Sequence, residues 1–302
     1  MKTNRVMYLS FAALSFIITF IVYAMTVQPS VPFWDCGEFT AAATWQQVCH
    51  PPGAPLFLMA GRVFQLLIPF GDLGWRVNIL SAAATAGAVL FLYLIIVKTI
   101  QSYRKESIES VADSLVVFGS AFVGALAFCF SDTIWFNGVE SEVYASSTLF
   151  TALVVYLMMR WNEKADEPGH EKYLLLIAYF IGLSTGVHLL AILTVFSIVM
   201  LVYFRRYKVN FKSFILMGVI ALVIFFLIYQ FIVMWWPTML SGDSPFKNAA
   251  KERVIENSPI MTLFALGIIA AAAWGLWYGV QKRYEILKLS CAAFLLIILG
   301  FT

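Results

Sequence analysis

Charge is scarce in this sequence: only 12% of its 302 residues are Asp, Glu, Lys or Arg, about half the share of an ordinary soluble domain. Apolar residues make up 61%, more than a soluble core can hide, so a soluble globular fold is excluded. The four cysteines, Cys36, Cys49, Cys129 and Cys291, are too few and too scattered for a disulfide scaffold. Cys129 and Cys291 lie in apolar runs and read as small core residues. Cys36 and Cys49 share one loop, where a bridge is possible, and two free thiols are the preferred reading. Histidine is rarer still, and His50 and His188 alone are too thin to argue a metal site. No internal repeat, low-complexity tract or soluble domain appears, and no nucleic-acid partner is expected.

What is present is a series of apolar runs, and a spanning helix needs about 20 such residues. The first run, 6–27, follows Lys2 and Arg5. It continues past the signal-peptidase-like Val22-Tyr23-Ala24, which predicts a retained anchor. Further spans are predicted at 77–100, 115–130, 143–159, 214–236 and 260–280. Residues 174–204 are too many for one span and few for two, so two short helices meeting near Gly186-Val187-His188 are expected. Residues 56–70, broken by Arg62 and Gln65, read as a helix lying at the membrane interface. The final run, 289–302, covers only about two-thirds of a hydrocarbon core of roughly 30 Å. It reads as a truncated ninth helix of a longer chain. The expected fold is an all-α membrane bundle of about eight transmembrane helices plus that ninth. Residues 1–302 form an N-terminal transmembrane domain, and interfacial helices occupy the first outer loop, 28–76.

The positive residues orient this layout. Lys98, Arg104 and Lys105; Arg160, Lys164 and Lys172; Arg205, Arg206, Lys208 and Lys212; and Lys282, Arg283 and Lys288 all fall on the side of the N-terminus if 56–70 does not cross. Only Arg62, Arg76, Lys247, Lys251 and Arg253 remain opposite. That bias places the N-terminus in the cytoplasm and the two acid-bearing loops on the outer face.

The first outer loop carries Trp34-Asp35-Cys36-Gly37-Glu38-Phe39 and then Cys49-His50-Pro51-Pro52-Gly53. Asp35 and Glu38 can serve as a general base and its assistant. The simpler reading makes Asp35 the N-cap and Glu38 the N3 residue of a capping box on a helix running through Thr44. Spacing alone favours the capping box about two to one, and the two readings are compatible. The second outer loop carries Asp132, Glu140 and Glu142 with no compensating base, followed by Tyr144. Ionisable groups at membrane depth are expensive and often functional, although Asp132 and Glu140 also suit solvated helix ends. His188 most simply is a hydrogen-bonded packing residue. Arg62 and Arg76 are suited to pairing with acids or to binding a lipid phosphate.

The motifs WDCGEF, HPPGAPLF, Arg76-Val77-Asn78, NGVESEVYA and GLSTGVHLL together resemble the N-terminal half of the transmembrane protein 260 family, over essentially the whole chain. That family is assigned to the GT-C class of membrane glycosyltransferases, and its animal member is a protein O-mannosyltransferase. The resemblance implies transfer of a mannose-like sugar from a polyprenyl-phosphate carrier to an acceptor hydroxyl, Ser or Thr of an exported protein. It implies Asp35 as catalytic acid-base residue with Glu38 as the alternative. Chemistry rather than motif suggests substrate contacts from His50, Arg62, Arg76, Glu140, Glu142, Tyr144 and His188. No cofactor is called for beyond the lipid-linked donor, with a divalent metal left open. Inversion at the anomeric carbon and a bacterial inner membrane are the expected stereochemistry and location. The competing classes are a transporter or lipid-binding scaffold, and a catalytically silent member that holds partners.

Overall fold

The computed structural model describes residues 2–51, 53–104, 108, 110–245 and 258–301. Lys105, Lys247, Lys251 and Arg253, used above to orient the chain, lie outside them. Thirteen α-helices follow one another among the described residues: α1 (Lys2–Thr26), α2 (Cys36–Trp45), α3 (Pro55–Leu67), α4 (Leu73–Arg104), α5 (Val111–Cys129), α6 (Asp132–Gly138), α7 (Val143–Lys164), α8 (Glu171–Thr185), α9 (Thr194–Arg206), α10 (Phe211–Phe226), α11 (Trp236–Leu240), α12 (Pro259–Lys282) and α13 (Glu285–Phe301). A 3-10 turn, Leu189–Leu193, leads into α9, and a π-wound stretch, Leu227–Trp235, joins α10 to α11. No strand occurs among the described residues.

Among the described residues seven helices are long and apolar enough to cross a membrane: Asn4–Thr26, Leu73–Arg104, Val111–Cys129, Val143–Lys164, Leu189–Arg206, Phe211–Leu240 and Pro259–Lys282. The chain is an all-α, multi-pass integral membrane protein. Of the two short helices expected within 174–204, the 3-10 turn lengthens the second to a full span and α8 stops at 15 residues. α13 has 17 residues. α3, with 13 residues, reaches only about 20 Å and is too short to span.

The chain divides into two compact units. The first comprises residues 1–159 and 186–191. Its α1 runs antiparallel to α4, and polar contacts at both ends fix the register. At one end Asn4 Nδ2 donates to Ile108 O at 2.8 Å and the Tyr93 hydroxyl to Tyr8 O at 3.1 Å. At the other, Asn78 Nδ2 on α4 donates to Gln28 O at 2.8 Å and Ser30 O at 3.0 Å, and the Gln28 N–H donates to Val139 O at 2.9 Å. Between these ends Tyr23, Val89, Tyr93, Val97, Val117 and Ala121 form a buried core. α5 starts where Ser110 caps it, its hydroxyl accepting the Asp113 N–H at 3.0 Å.

The second unit comprises residues 160–185 and 192–302. α8 and α13 touch through glycines. A Cβ on Gly182 would strike the Ile297 carbonyl, and one on Gly300 would strike Tyr179 O. Without a hydrophobic drive between helices in lipid, close backbone approach through small residues is what makes such a pair hold. α10 begins at a complete capping box, Asn210 Oδ1 accepting the Ser213 N–H at 3.0 Å while Ser213 Oγ accepts the Asn210 N–H at 3.2 Å.

Candidate active site

The site gathers in the first unit, at the end where α1 finishes and α4 and α7 begin. The chain turns sharply into α2 because Trp34 takes a left-handed backbone, φ 63°, an uncommon conformation for a bulky residue. Phe33 and Trp34 are both largely exposed, a placement suited to aromatic rings at a membrane interface. Asp35 occupies the N-cap position of α2, yet its side chain makes no capping hydrogen bond. Its carboxylate has no hydrogen-bond or ion-pair partner among the described residues and is exposed.

Glu38 does not complete a capping box either. Its carboxylate instead takes the backbone N–H of His50 at 2.6 Å and lies 2.8 Å from His50 Nδ1. These bonds hold the Glu38 carboxyl below the usual carboxylate range and raise the His50 imidazole above its ordinary value. The α2–α3 loop is thus closed on Glu38. The Phe39 ring packs on His50 and on Phe57, with centroids 5.7 and 5.6 Å away. At the far end of the loop, the orphan N–H of Leu56 at the start of α3 finds Gly186 O, just past the end of α8, at 2.8 Å, so the open terminus of one helix satisfies that of another.

Behind α2 lies a buried acidic layer. Glu140 and Glu142 are 6% and 7% exposed, Cys36 and Ser141 fully buried. Cys36 Sγ donates to Glu142 Oε1 at 3.7 Å, and Ser141 Oγ lies 3.3 Å from Thr40 Oγ1 and donates to Cys36 O at 3.4 Å. Burial pushes the Cys36 thiol up to about 12, with the Glu142 and Glu140 charges adding to it. Burial and then the neighbouring Glu142 raise Glu140 to about 7, and burial followed by the Asp35 charge raises Glu142. Cys49 is also buried, its thiol pushed up by burial, and both cysteines of the loop are free.

Asp35, Phe39, His50, Glu142, Tyr144 and His188 line a cavity of about 80 Å³. The His188 ring lies against Tyr144, centroids 5.2 Å apart. His188 Nδ1 accepts the Leu190 N–H at 3.2 Å, which leaves the ring's hydrogen on Nε2 when it is neutral. Burial lowers the His188 imidazole, favouring that neutral form. Of the residues singled out from the sequence, the structure therefore brings together Asp35, Glu38, His50, Glu142, Tyr144 and His188. Glu140 sits beside Glu142 without lining the cavity. Arg76 is engaged elsewhere, its guanidinium donating to Gln65 O, Phe70 O and Gly71 O at 2.8–3.2 Å and stapling the α3–α4 turn. Arg62 is absent from the lining. Sequence reasoning did not assign Phe39, Cys49 and Val187 to the lining; Phe39 and Val187 carry no chemistry-bearing group, and Cys49 reads from the sequence only as a loop thiol.

Asp35, Glu38 and His50 also place one potential ligand atom each within 4.8 Å of one another. Carboxylate oxygen and imidazole nitrogen together suit a divalent cation, although the Glu38–His50 hydrogen bond already uses part of that set.

These features define a multi-pass membrane protein with a cavity that holds Asp35 and Glu142 where its loops meet the start of α7. A family model described as the protein O-mannosyl-transferase TMEM260 N-terminal domain matches residues 35–211, beginning at Asp35 itself, and the chain belongs to that family. It is 29% identical to protein O-mannosyl-transferase tmem260 of Dictyostelium discoideum over 162 residues, 53% of this chain and 18% of that one. To protein O-mannosyl-transferase TMEM260 of Mus musculus it is 28% identical over 187 residues, 62% of this chain and 24% of the mouse protein. The matched region thus spans about a fifth of the length of those curated relatives. No solved structure matches the chain.

Proposed function

We propose that residues 1–302 form the transmembrane catalytic domain of a GT-C-class glycosyltransferase that moves a mannose-like sugar from a polyprenyl phosphate to a Ser or Thr hydroxyl of an exported protein. The observation that carries this reading is the contrast between two acids three residues apart. Glu38 is tied to His50, while the Asp35 carboxylate stands unpartnered at the cavity. A carboxylate with open lone pairs is free to take a proton. In the reaction the acceptor oxygen bonds to the anomeric carbon as the carbon–oxygen bond to the lipid phosphate breaks. Asp35 takes the hydroxyl proton, the phosphate leaves with the bonding pair, and a single displacement inverts the centre. Phosphate needs no strong acid to leave, so one base suffices.

The cavity's other groups have roles that follow from their charge. His50, its imidazole raised by Glu38, supplies a cation beside the departing phosphate. His188, neutral with Nε2–H free, supplies a hydrogen-bond donor to the sugar or phosphate. Glu142 is suited to accept from sugar hydroxyls, and Tyr144 to pack on the sugar ring. Arg62, without a partner among the described residues, remains available at the α3 surface.

The four basic clusters support an orientation with the N-terminus cytoplasmic and the cavity on the outer face. A bacterial inner membrane is the expected location, while the relatives compared above are eukaryotic. Mass spectrometry of exported proteins from a deletion strain tests the function. Loss of a hexose from Ser- or Thr-containing peptides, restored by the wild-type gene, is the expected result. An unchanged glycan profile would contradict it.

A further inference from the structure

A second, larger cavity has no acid in its lining. It lies wholly in the second unit, between α8, α9, α10 and α13, with a volume of about 630 Å³. Ile181, Val199, Met217, Ile224 and Ile297 represent its walls, which are aliphatic almost throughout. Along α10 the lining runs from Ser213 into the π-wound stretch at Ile228, roughly 20 Å at about 1.5 Å per residue. That is comparable to one leaflet of a hydrocarbon core about 30 Å thick.

The polarity of the walls selects the occupant. An aliphatic trough of this length with its polar and basic groups gathered at one end is suited to an amphiphile whose acyl chain lies along the trough.

Polarity is confined to one end. There the lining holds Tyr203, Tyr207, Lys208 and Ser213, with the Tyr203 hydroxyl and Ser213 Oγ 2.7 Å apart. The four cations of this turn divide into two pairs. Arg205 and Arg206 both pair with the single carboxylate of Asp166, and Arg206 also donates to Ala165 O. Lys208 and Lys212 are exposed and have no partner among the described residues. The uncompensated charge of this turn is thus carried by Lys208, which lines the polar end of the trough, and Lys212, one residue before the lining Ser213.

We propose that this trough is a binding site for an anionic phospholipid, one acyl chain lying along α10 and the phosphate at Lys208 and Lys212. Basic pockets between transmembrane helices on the cytoplasmic side are suited to anionic headgroups, and the orientation proposed above puts this turn on that side. The lipid is then a constituent of the inner leaflet rather than the sugar donor, whose phosphate must reach Asp35. The site does not depend on the transfer reading, because binding can be measured without activity.

The test uses the full chain purified in neutral detergent and stripped of lipid. Thermal unfolding is followed while phosphatidylglycerol or phosphatidylcholine is added. Phosphatidylglycerol is expected to raise the unfolding temperature saturably and at lower concentration than phosphatidylcholine. Lys208→Gln with Lys212→Gln should weaken phosphatidylglycerol binding about twenty-five-fold, at roughly fivefold per lysine, and leave phosphatidylcholine unchanged. Val199→Trp, which fills the trough, should remove the response to both lipids. Equal responses to the two lipids, or a lysine pair whose replacement changes nothing, would overturn the headgroup assignment. Full binding by a folded Val199→Trp protein would overturn the seat of the chain. The lysine variant is at the surface and folds regardless, so the proposal stays testable if Val199→Trp does not.

Discussion

Glu38 accepts both the backbone N–H of His50, at 2.6 Å, and a hydrogen bond from its ring, Nδ1 lying 2.8 Å from Oε2, across a loop of twelve residues. One carboxylate therefore closes the segment that brings Cys49, His50 and Gly53 to the cavity. Glu38→Gln keeps an acceptor for the N–H and loses the charge. We expect the loop to become measurably more susceptible to limited proteolysis while the helices keep their circular dichroism.

The same pair has a pH window. The Glu38 carboxyl is lowered and the His50 imidazole raised, so the contact contributes fully between the ordinary carboxylate range and the ordinary imidazole value. It weakens on the acid side as Glu38 protonates, and on the alkaline side as His50 loses its proton. Hydrogen exchange of the loop amides should be slowest inside that window. Exchange that is insensitive to pH, after correction for intrinsic rates, would remove the ion pair from the account.

Glu140 provides a second titration with the opposite sign. Its carboxyl is raised to about 7, so the folded state holds a proton that the unfolded chain has released. Stability should fall as pH rises from the ordinary carboxylate range through 7. In Glu140→Gln, which carries no such proton, the unfolding temperature should be flatter over that interval. A wild-type protein that grows more stable from pH 5 to 7 relative to Glu140→Gln would contradict the buried-acid assignment.

Gly182 offers a packing test. Its α-carbon faces the Ile297 carbonyl so closely that a Cβ would collide with backbone. Gly182→Ala should cost roughly 1–3 kcal/mol, the usual range for overpacking, read as a lowered unfolding temperature. Gly267→Ala, where nothing lies within 4 Å of an added Cβ, is the matched control and should be neutral or slightly stabilising.

Much of this architecture was legible from residue patterns. Apolar run length marks the spans because lipid leaves the backbone no alternative partner to its own helix, and the break at Gly186 shows in a run too long for one helix. The shortness of α3 follows from Pro55 at its start and Pro69 two residues past its end. Side-chain destinations were less legible. Asp35 and Glu38 have the spacing of a capping box, and the structure puts Asp35 at the N-cap while neither acid makes the capping bonds. The competing donor for Glu38 was His50, twelve residues on, and no local rule weighs a loop contact of that length. Arg76 was equally opaque, since its use as a staple on three carbonyls depends on how the α3–α4 turn closes. The division of four adjacent cations into two paired and two unpaired was invisible for the same reason.

His188 separates substrate positioning from proton transfer. With Nδ1 occupied by the Leu190 N–H, only Nε2–H reaches a ligand. Replacing the ring by Phe keeps the packing on Tyr144 and removes that donor. A loss of roughly five- to tenfold in apparent donor affinity is expected, the size of a single hydrogen bond, with the pH profile unchanged.

The most direct test of the account compares Asp35→Asn with Glu38→Gln in the full-length protein, assayed for sugar transfer in native membranes. Asn has nearly the shape of Asp and keeps the helix start intact, yet it cannot take a proton. The account predicts a fall of about 10²- to 10⁴-fold in transfer for Asp35→Asn, with folding unchanged and a smaller loss for Glu38→Gln. A well-folded Asp35→Asn protein that transfers sugar at close to the wild-type rate would contradict it.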